Sequence, residues 1–340
     1  MIDIVLETKA LSIGYRSSKG DKVLGKSLNL KLRKGSFVGL LGPNGSGKST
    51  LIRSISGLLD SLAGEVFINN ISLKKLSRTQ KARMISVVLT DKVSSMGLSV
   101  FDMVSYGRFP HTNWLGKLTE NDIAIVEESL KLVDMEGFAN RMLHTLSDGE
   151  RQRVMIAKAL AQKSDIVILD EPTAHLDLIN RVEIMKLLQK LAHEQHQAIL
   201  ISTHELDLAM QSTDELWLMT KNKSITVGAP EDLILNHAMQ DVFAQSAVDF
   251  DHITGMFKMK HAINEQMHFE CNQAQIALWT RKALEKIGVA LVEDIQNKNK
   301  IIYKSDVWHV EIGAKHGQFS NLAALVNFVK VELEKKSLSK

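Results

Sequence analysis

The chain has 340 residues, of which 44% are hydrophobic, and its 42 basic and 39 acidic side chains give a formal charge of +3. That length is enough for two domains, or for one large domain with an appendage. So small a charge, without any dense run of lysine and arginine, gives no support to a direct nucleic-acid partner. The single cysteine, Cys271, excludes an intrachain disulfide and a zinc site built on cysteines.

The pattern of the first 250 residues is that of a layered α/β domain. Nearly continuous apolar runs predict buried parallel strands at Phe37–Leu41, Ile166–Leu169 and Ala198–Ile201. Helical periods separate these runs, which predicts a mostly parallel sheet within residues 1–250. From about 90 to 157 helical periods occur without a comparable strand, so we expect a helical subdomain there.

Residues 42–49 match the motif G-x-x-x-x-G-K-[ST], follow an apolar strand and open a segment of helical period. Glycines allow backbone N–H groups to surround phosphates, and the amino terminus of a helix adds a favourable dipole. We predict that Lys48 bridges the β- and γ-phosphates of a nucleotide, Ser49 ligates Mg²⁺, and Thr50 helps to hold the α- and β-phosphates. The residues predicted to bind the nucleotide here are Gly42, Pro43, Asn44, Gly45, Ser46, Gly47, Lys48, Ser49 and Thr50.

Two carboxylates, Asp170 and Glu171, end a predicted buried strand. Side chains at the carboxyl end of a parallel strand emerge at the edge of the sheet that carries the phosphate loop. We predict that Asp170 supports the Mg²⁺ ion from behind its direct ligands, and that Glu171 orients and deprotonates the attacking water.

The sequence changes character after about residue 255. A strand is predicted there, followed by a helix through Ala277 and Leu284, a meander of strands from Val289 to Ile312, and a closing helix through Leu322 to Leu333. We therefore predict an α+β accessory domain over residues 255–340, large enough for its own core. Its role is unknown from sequence, and one hypothesis is that it regulates the first domain by dimerising or by sensing a ligand.

Residues 146–153, Leu-Ser-Asp-Gly-Glu-Arg-Gln-Arg, lie between the phosphate loop and the acidic strand end. This order of parts resembles ATP-binding cassette (ABC) ATPases from about residue 3 to 255. The resemblance implies a P-loop NTPase fold with a helical subdomain, and catalysis by Lys48, Glu171 and a switch histidine, His204. It also implies a homodimer with composite sites, in which each ATP lies between the phosphate loop of one subunit and Ser147 to Gly149 of the other.

Two further segments match that family. Tyr15 lies where family members keep an aromatic ring that stacks on adenine. Ala174-His175-Leu176-Asp177 matches the D-loop, which runs along the dimer interface of the family. Each segment has a structural alternative. Tyr15 would be a core residue, and residues 174–177 would be a turn that caps the next helix.

The signature segment differs from the commonest family form, Leu-Ser-Gly-Gly-Gln, at Asp148 and Glu150. Like charges near a γ-phosphate are unfavourable, by about 1 kcal/mol in water at 4 Å and about 4 at an effective dielectric of 20. However, Ser147 and Glu150 have the spacing of a capping box. We therefore expect Glu150 to face the start of the helix, which leaves Ser147 and Gly149 for phosphate.

The main departure from the family is at the Q-loop. Family members place glutamine at the end of the strand corresponding to Ile85–Leu89, where it meets Mg²⁺ and reports on the membrane subunit. Here Thr90 stands in that place, with Asp91 next. We expect the metal to be reached from Thr90 itself, from Asp91, or through a bridging water.

Within the family, the stretch Tyr106-Gly107-Arg108-Phe109-Pro110-His111 resembles importers of iron-siderophore complexes, haem and cobalamin. The resemblance implies polytopic permease subunits, an extracytoplasmic substrate-binding protein and a cytoplasmic location on the inner face of the membrane. No stretch approaches the roughly 18 uninterrupted apolar residues of a membrane helix, so another chain would have to cross the bilayer.

Two rival functions remain open at this point. One is a soluble ABC-type ATPase acting on nucleic acid or ribosomes, although such proteins usually fuse two cassettes or insert a coiled coil, and neither is present. The other is an ATP-gated regulatory module with weak hydrolysis, prompted by Thr90, Asp148 and Glu150. The intact catalytic residues argue against it.

Overall fold

The computed structural model describes residues 3–18, 20–89, 97–113, 115–220, 222–243, 248–251, 256–294 and 296–338. The strands are β1 (Ile4–Tyr15), β2 (Lys22–Leu28), β3 (Lys31–Arg33), β4 (Phe37–Leu41), β5 (Ala63–Ile68), β6 (Ile71–Ser72), β7 (Ile85–Val88), β8 (Ile166–Asp170), β9 (Ala198–Ser202), β10 (Glu215–Met219), β11 (Ile225–Gly228), β12 (Val248–Asp251), β13 (Met256–Met259), β14 (Glu265–Glu270), β15 (Val289–Val292), β16 (Lys300–Lys304), β17 (Val307–Ile312) and β18 (Lys315–Phe319).

The α-helices are α1 (Lys48–Ile55), α2 (Arg78–Met84), α3 (Val100–Ser105), α4 (Glu120–Leu132), α5 (Asp148–Ala161), α6 (Leu178–Glu194), α7 (Leu206–Ser212), α8 (Pro230–Leu235), α9 (Ala238–Phe243), α10 (Ala274–Glu285) and α11 (Leu322–Leu338). Short 3₁₀ helices cover Leu73–Lys75, Tyr106–His111, Glu136–Phe138 and Leu143–Thr145. The chain divides into two compact units, Met1–Phe257 and Lys258–Lys340. No helix among the described residues is both long enough and apolar enough to span a bilayer.

The first unit is built on a central sheet in the order β11-β10-β4-β9-β8-β7. The strands from β10 to β7 are parallel, and β11 pairs antiparallel at one edge. Every residue of β4, β8 and β9 is buried, so the three predicted parallel strands are confirmed. Because β9 lies between β4 and β8, the segments that follow these three strands meet at one edge of the sheet.

Each face of the central sheet has its own core. One core joins alternate strand residues such as Val167 and Ile201 to helices α3 to α6. The other joins their neighbours, such as Ile168 and Leu200, to α1 and to a second sheet in the order β2-β1-β5-β6. This alternation is the period of two expected for strands covered on both faces. It fixes α1, and therefore the start of the phosphate-binding helix, against the sheet.

The second unit contains a mixed sheet in the order β15-β14-β16-β17-β18. Helices α10 and α11 contribute Leu284, Leu325 and Val329 to a core shared with the sheet. The predicted meander from Val289 to Ile312 is wrong at its first step, because β15 and β16 each pair in parallel with β14, on its two sides. Helix α10 makes a crossover from β14 to β15, and such a connection favours parallel neighbours.

Helices α3, α4 and α5, which follow β7 and precede β8 in the chain, pack against one another and form the helical region. Residues from Gly107 to His111 contact α4, α5 and the residue after α5. A Cβ on Gly107 would lie 2.2 Å from the carbonyl oxygen of Lys158, so only glycine fits. Arg108 is buried, donating to Asp122 Oδ1 at 2.9 Å and to the carbonyl of Ala161 at 2.7 Å. The ring of His111 hydrogen bonds to the carbonyl of Gln162 at 2.9 Å.

This arrangement makes the buried pair of Arg108 and Asp122 the main electrostatic link inside the helical region, and we predict that Asp122→Ala is strongly destabilising. The substitution leaves a buried guanidinium without its carboxylate, and losses of this kind cost about 3 kcal/mol or more. Urea unfolding measures the change. The control is Glu128→Ala, which removes an exposed carboxylate 2.7 Å from Lys163 and should cost less than about 1 kcal/mol. Equal losses in the two variants would contradict the prediction.

The carboxylate of Asp122 also makes the free energy of unfolding depend on pH under acidic conditions. Hydrogen bonds from the hydroxyl and N–H of Thr119, with a smaller effect of Arg108, lower the pKa of Asp122 from 3.8 to about 2. Because this pKa is depressed in the folded state, the stabilisation is complete above pH 3.8 and is lost as the pH falls toward 2. The difference in unfolding free energy between wild type and Asp122→Ala should therefore shrink over that interval.

Candidate active site

The loop between β4 and α1 has a backbone that requires glycine at its two ends. Gly42 has φ 156° and Gly47 has φ 109°. A Cβ on Gly42 would lie 2.5 Å from the carbonyl oxygen of Met219, and one on Gly47 would lie 3.0 Å from the Cβ of Leu24. Between them Pro43 is half-buried, while Asn44 and Gly45 are exposed. The loop thus presents a backbone surface that other residue types would block.

The polar side chains of Lys48 and Ser46 lie inside the loop and have no hydrogen-bond partner outside it among the described residues. The ammonium of Lys48 is buried and donates to the carbonyl oxygens of Gly42 at 2.8 Å and Pro43 at 3.3 Å. Burial lowers the pKa of Lys48, opposed by the charges of Glu171 and Asp170. The hydroxyl of Ser46 is buried without a hydrogen-bond partner in the described structure. A phosphate group would satisfy both side chains, so the loop fits a nucleotide.

Oxygen atoms suited to a hard cation lie beside the loop. Ser49 Oγ is 3.4 Å from Asp170 Oδ1, the same oxygen that accepts from the hydroxyl of Ser202. Within the described ranges, no group of three or more His, Cys, Asp or Glu side chains is arranged to hold a metal ion. A hydroxyl and one carboxylate fit Mg²⁺ when phosphates supply further oxygens. Thr90 and Asp91 lie outside the described residues.

Glu171 and His204 form a pair at the same edge. Glu171 Oε1 is 2.7 Å from His204 Nε2, and both side chains are partly exposed. The backbone of Glu171 is left-handed, with φ 53°, and its N–H donates to the carbonyl and hydroxyl oxygens of Ser202, each at 3.1 Å. Such a conformation costs of order 1–3 kcal/mol unless its surroundings hold it. Ser202 therefore holds the carboxylate of Asp170 and the backbone of Glu171, a role that no sequence motif indicated.

Tyr15 and Thr50 connect the second sheet to the loop. Tyr15 ends β1, and its hydroxyl is 3.1 Å from Thr50 Oγ1. Its side chain remains 43% exposed. The ring is therefore accessible at the margin of the loop, where a planar ligand could contact it.

The expected capping box at the start of α5 is confirmed. Glu150 Oε2 accepts from the N–H of Ser147 at 2.8 Å, and Ser147 Oγ accepts from the N–H of Glu150 at 3.3 Å. The hydrogen bond from the Ser147 N–H is the main cause that lowers the pKa of Glu150, and Arg141 lowers it further. The other carboxylate, Asp148, is 3.3 Å from Arg151. Both acidic departures from the common signature thus have partners within their own segment.

Contacts within one chain divide the predicted residues into two groups. Lys48, Ser49, Asp170, Glu171 and His204 lie together at the edge of the central sheet, joined by the contacts described above. Ser147 and Gly149 belong to the start of α5, where a Cβ on Gly149 would be 2.6 Å from Asn180 Oδ1. Asn180 is a neighbour that the sequence did not reveal.

The parallel sheet, the glycine loop and the buried lysine define a P-loop nucleotide-binding domain. Comparison with known proteins narrows this class. The profile of the ABC transporter family matches residues 25–174. The iron(3+)-hydroxamate import ATP-binding protein FhuC of Bacillus subtilis is 37% identical over 238 residues, which cover 70% of this chain and 87% of that protein. The chain belongs to the family of ABC transporter ATP-binding proteins and is an ATPase of that family.

Two other comparisons are informative. The cobalamin import ATP-binding protein BtuD of Halobacterium salinarum is 36% identical over 237 residues, covering 69% of this chain and 59% of that protein. The dimeric bacterial ABC transporter cassette MJ0796 superposes with a TM-score of 0.57 at 27% identity, covering 66% of this chain and 98% of the other. MJ0796 is also known in a post-hydrolysis state with ADP and Pi.

We predict that Glu150→Gln keeps ATPase activity within about twofold of wild type, since an amide oxygen can still accept the Ser147 N–H. Glu150→Ala should lower the free energy of unfolding by about 1 kcal/mol, because that N–H at the start of the helix loses its partner. ATP turnover and urea unfolding are the measurements, and Glu127→Ala on the exposed side of α4 is the control. A large loss of activity in Glu150→Gln would show that the carboxylate has a role beyond the cap.

Proposed function

We propose that this chain is the ATP-hydrolysing subunit of an ABC importer whose substrate is an iron-siderophore, haem or cobalamin-type compound. The pairing of Glu171 with His204 beside the phosphate loop is the observation that carries the proposal, because it provides groups for water activation next to groups for phosphate binding. The import functions named for FhuC and BtuD support the substrate class, as does the stretch from Tyr106 to His111.

In this proposal each part of the site has one task. Lys48, Ser46 and the loop N–H groups bind the phosphates, and Tyr15 stacks on the adenine. Ser49 and Asp170, with a contribution from Thr90, would hold Mg²⁺, which would supply positive charge to offset the charge on the transferred phosphoryl group. Glu171 orients the attacking water and accepts its proton. His204 holds the Glu171 carboxylate and would contact the γ-phosphate.

The site is completed by a second copy of the chain. Helix α5 presents its amino terminus, where Ser147 would offer a hydroxyl proton and Gly149 its backbone N–H to a phosphate oxygen. Next to the D-loop, Leu178 and Ile179 are 69% and 73% exposed, an apolar pair that a partner subunit would cover. The dimer of MJ0796 supports this arrangement. A monomer lacks half of each site and should hydrolyse ATP poorly.

A groove on the helical region is proposed to receive a cytoplasmic helix of a polytopic permease. The rings of Tyr106 and Phe109 pack with centroids 4.9 Å apart, and Phe109 is 55% exposed. The groove has a volume of about 280 Å³, and its lining residues are Leu98, Phe101, Asp102, Ser105, Tyr106, Phe109, Gly116 and Leu118. The leucine and aromatic side chains of this lining suit the apolar face of an amphipathic helix.

The proposed importer contains other proteins besides this chain. The chain lies on the cytoplasmic side of the cell membrane, and an extracytoplasmic substrate-binding protein delivers the substrate to the permease. Residues 258–340, with their own core, form an accessory domain in addition to the ATPase domain.

Glu171→Gln is predicted to reduce ATP turnover by about 100-fold or more, since a positioned general base contributes about 10²–10⁴-fold. The groups that bind ATP remain, so the variant should accumulate as an ATP-bound dimer in size-exclusion chromatography. Glu194→Gln, at the exposed end of α6, is the control and should behave like wild type. Near wild-type turnover in Glu171→Gln would refute the assignment of Glu171.

A charge in the groove is predicted to separate the ATPase from the permease. Phe109→Asp should reduce retention on membranes that contain the cognate permease by about tenfold, because it places a carboxylate against an apolar helix face. ATP turnover of the isolated protein should stay within about twofold of wild type. Leu115→Asp is the matched control, since Leu115 is 65% exposed and does not line the groove. Equal retention of both variants would contradict the docking site.

A further inference from the structure

We infer that the first two turns of α6 brace the active site, with Asn180 and Arg181 as positioning residues that tie the D-loop to both the switch histidine and the signature segment. This inference rests on the proposed function, because it concerns how the hydrolysis site is held. The brace is defined as Asn180, Arg181 and Glu183.

Arg181 connects the D-loop to the segment that carries His204. Its Nε donates to the carbonyl oxygen of Leu176 at 2.7 Å, and its Nη1 donates to Glu205 Oε1 at 2.6 Å. Both charged side chains are about two thirds buried. The planar guanidinium makes the two bonds from fixed positions, which a flexible ammonium cannot reproduce. Since Glu205 directly follows His204, a movement of Arg181 would also move the backbone of His204.

Asn180 connects the same D-loop to the signature segment. Its N–H and its side-chain amide donate to the two carboxylate oxygens of Asp177 at 2.9 and 3.0 Å. With the amide held in this way, its oxygen occupies the space next to Gly149, where an added Cβ would come within 2.6 Å. The first turn of α5 therefore rests on a side chain that Asp177 fixes.

Glu183 makes the contact one turn further along both helices. Glu183 Oε2 accepts from Arg153 Nη2 at 2.8 Å, and Arg153 Nη1 also donates to the carbonyl oxygen of Val133 at 3.2 Å. Helix α5 is thus attached to α6 at two successive turns. The second attachment also includes the end of α4.

The three contacts give the D-loop a mechanical role within one chain. When the partner subunit moves the D-loop, Arg181 passes the movement to Glu205 and His204, and Asn180 passes it to Gly149. The Glu171 and His204 pair then reaches its working geometry only when the signature segment is also in place. Small displacements of catalytic groups reduce rates strongly, and loss of a supporting contact to a catalytic group can cost about 10- to 100-fold.

The first test is Arg181→Ala in the full-length chain. We expect kcat for ATP to fall about 10- to 100-fold, with KM within about threefold, because the phosphate loop is unchanged. Arg181→Lys should be intermediate, since an ammonium keeps the charge but lacks the fixed planar fork that reaches both acceptors. Arg33→Ala is the matched control, because it breaks a part-buried pair with Glu215 at 3.1 Å. Glu215 is the first residue of β10 and pairs with Val38, at the opposite end of these strands from the phosphate loop, so kcat should stay within about twofold of wild type.

A double-variant comparison identifies the partner of Arg181. If Arg181 acts through Glu205, the variant with both Arg181→Ala and Glu205→Ala should have a kcat no lower than the worse single variant. If Arg181→Ala fails to fold, Glu205→Ala against Arg33→Ala carries the same comparison. A kcat in Arg181→Ala equal to that of Arg33→Ala, or a multiplicative loss in the double variant, would overturn the brace.

The second test measures the signature side through dimer formation. In the Glu171→Gln background with saturating ATP, Asn180→Ala should weaken the dimer about tenfold or more, while Glu194→Ala should not. An unchanged dimer would overturn the role of Asn180. Failure of the proposed function is distinguishable, because it would appear as absent ATP turnover in wild type, or as no dimer of Glu171→Gln itself. If those two controls succeed and the brace variants match their own controls, only the brace is wrong.

Discussion

The active site depends on the position of β9 between β4 and β8. Buried parallel strands pair along their whole length, so their carboxyl ends stop at the same edge and the three following segments must share that edge. The phosphate loop follows β4, His204 follows β9, and Glu171 follows β8. Ser202, the last residue of the middle strand, then lies within hydrogen-bond distance of both Asp170 and Glu171. The sheet order therefore brings the segments that carry the proposed catalytic groups to one edge, whatever their side chains.

The buried charges at that edge stabilise one another only in part. Lys48 is buried with two carbonyl partners, and burial outweighs the attraction of Asp170 and Glu171 in setting its pKa. The hydroxyl of Ser46 has no partner in the described structure. Buried polar groups that lack good partners are costly. The loop thus gains stability when an anion binds, which links nucleotide binding to the stability of the domain.

Sequence was sufficient where one local motif carries the information. The phosphate loop, the three buried strands and the capping box of Ser147 and Glu150 each depend on residues close together in the chain. Ser202, Asn180 and Arg181 were not predicted, because their roles come from contacts between segments that are distant in sequence. The meander in the second unit failed for a related reason. The spacing of its strands is compatible with several sheet orders. Strand β14 was not predicted, because its sequence contains several polar residues, and its pairing with both β15 and β16 keeps those two strands apart.

The two acidic residues of the signature segment, Asp148 and Glu150, are compatible both with a stable helix start and with the proposed binding of a phosphate by the same segment. At a helix amino terminus, carboxylates are stabilised by the backbone dipole and by free N–H groups. Glu150 uses this by bonding Ser147, and Arg141 and Arg151 lie beside Glu150 and Asp148. Much of the negative charge is therefore compensated within the segment. In the proposed dimer, Ser147 and Gly149 would offer a phosphate a hydroxyl proton and a backbone N–H, and neither requires the glycine and glutamine of the common form.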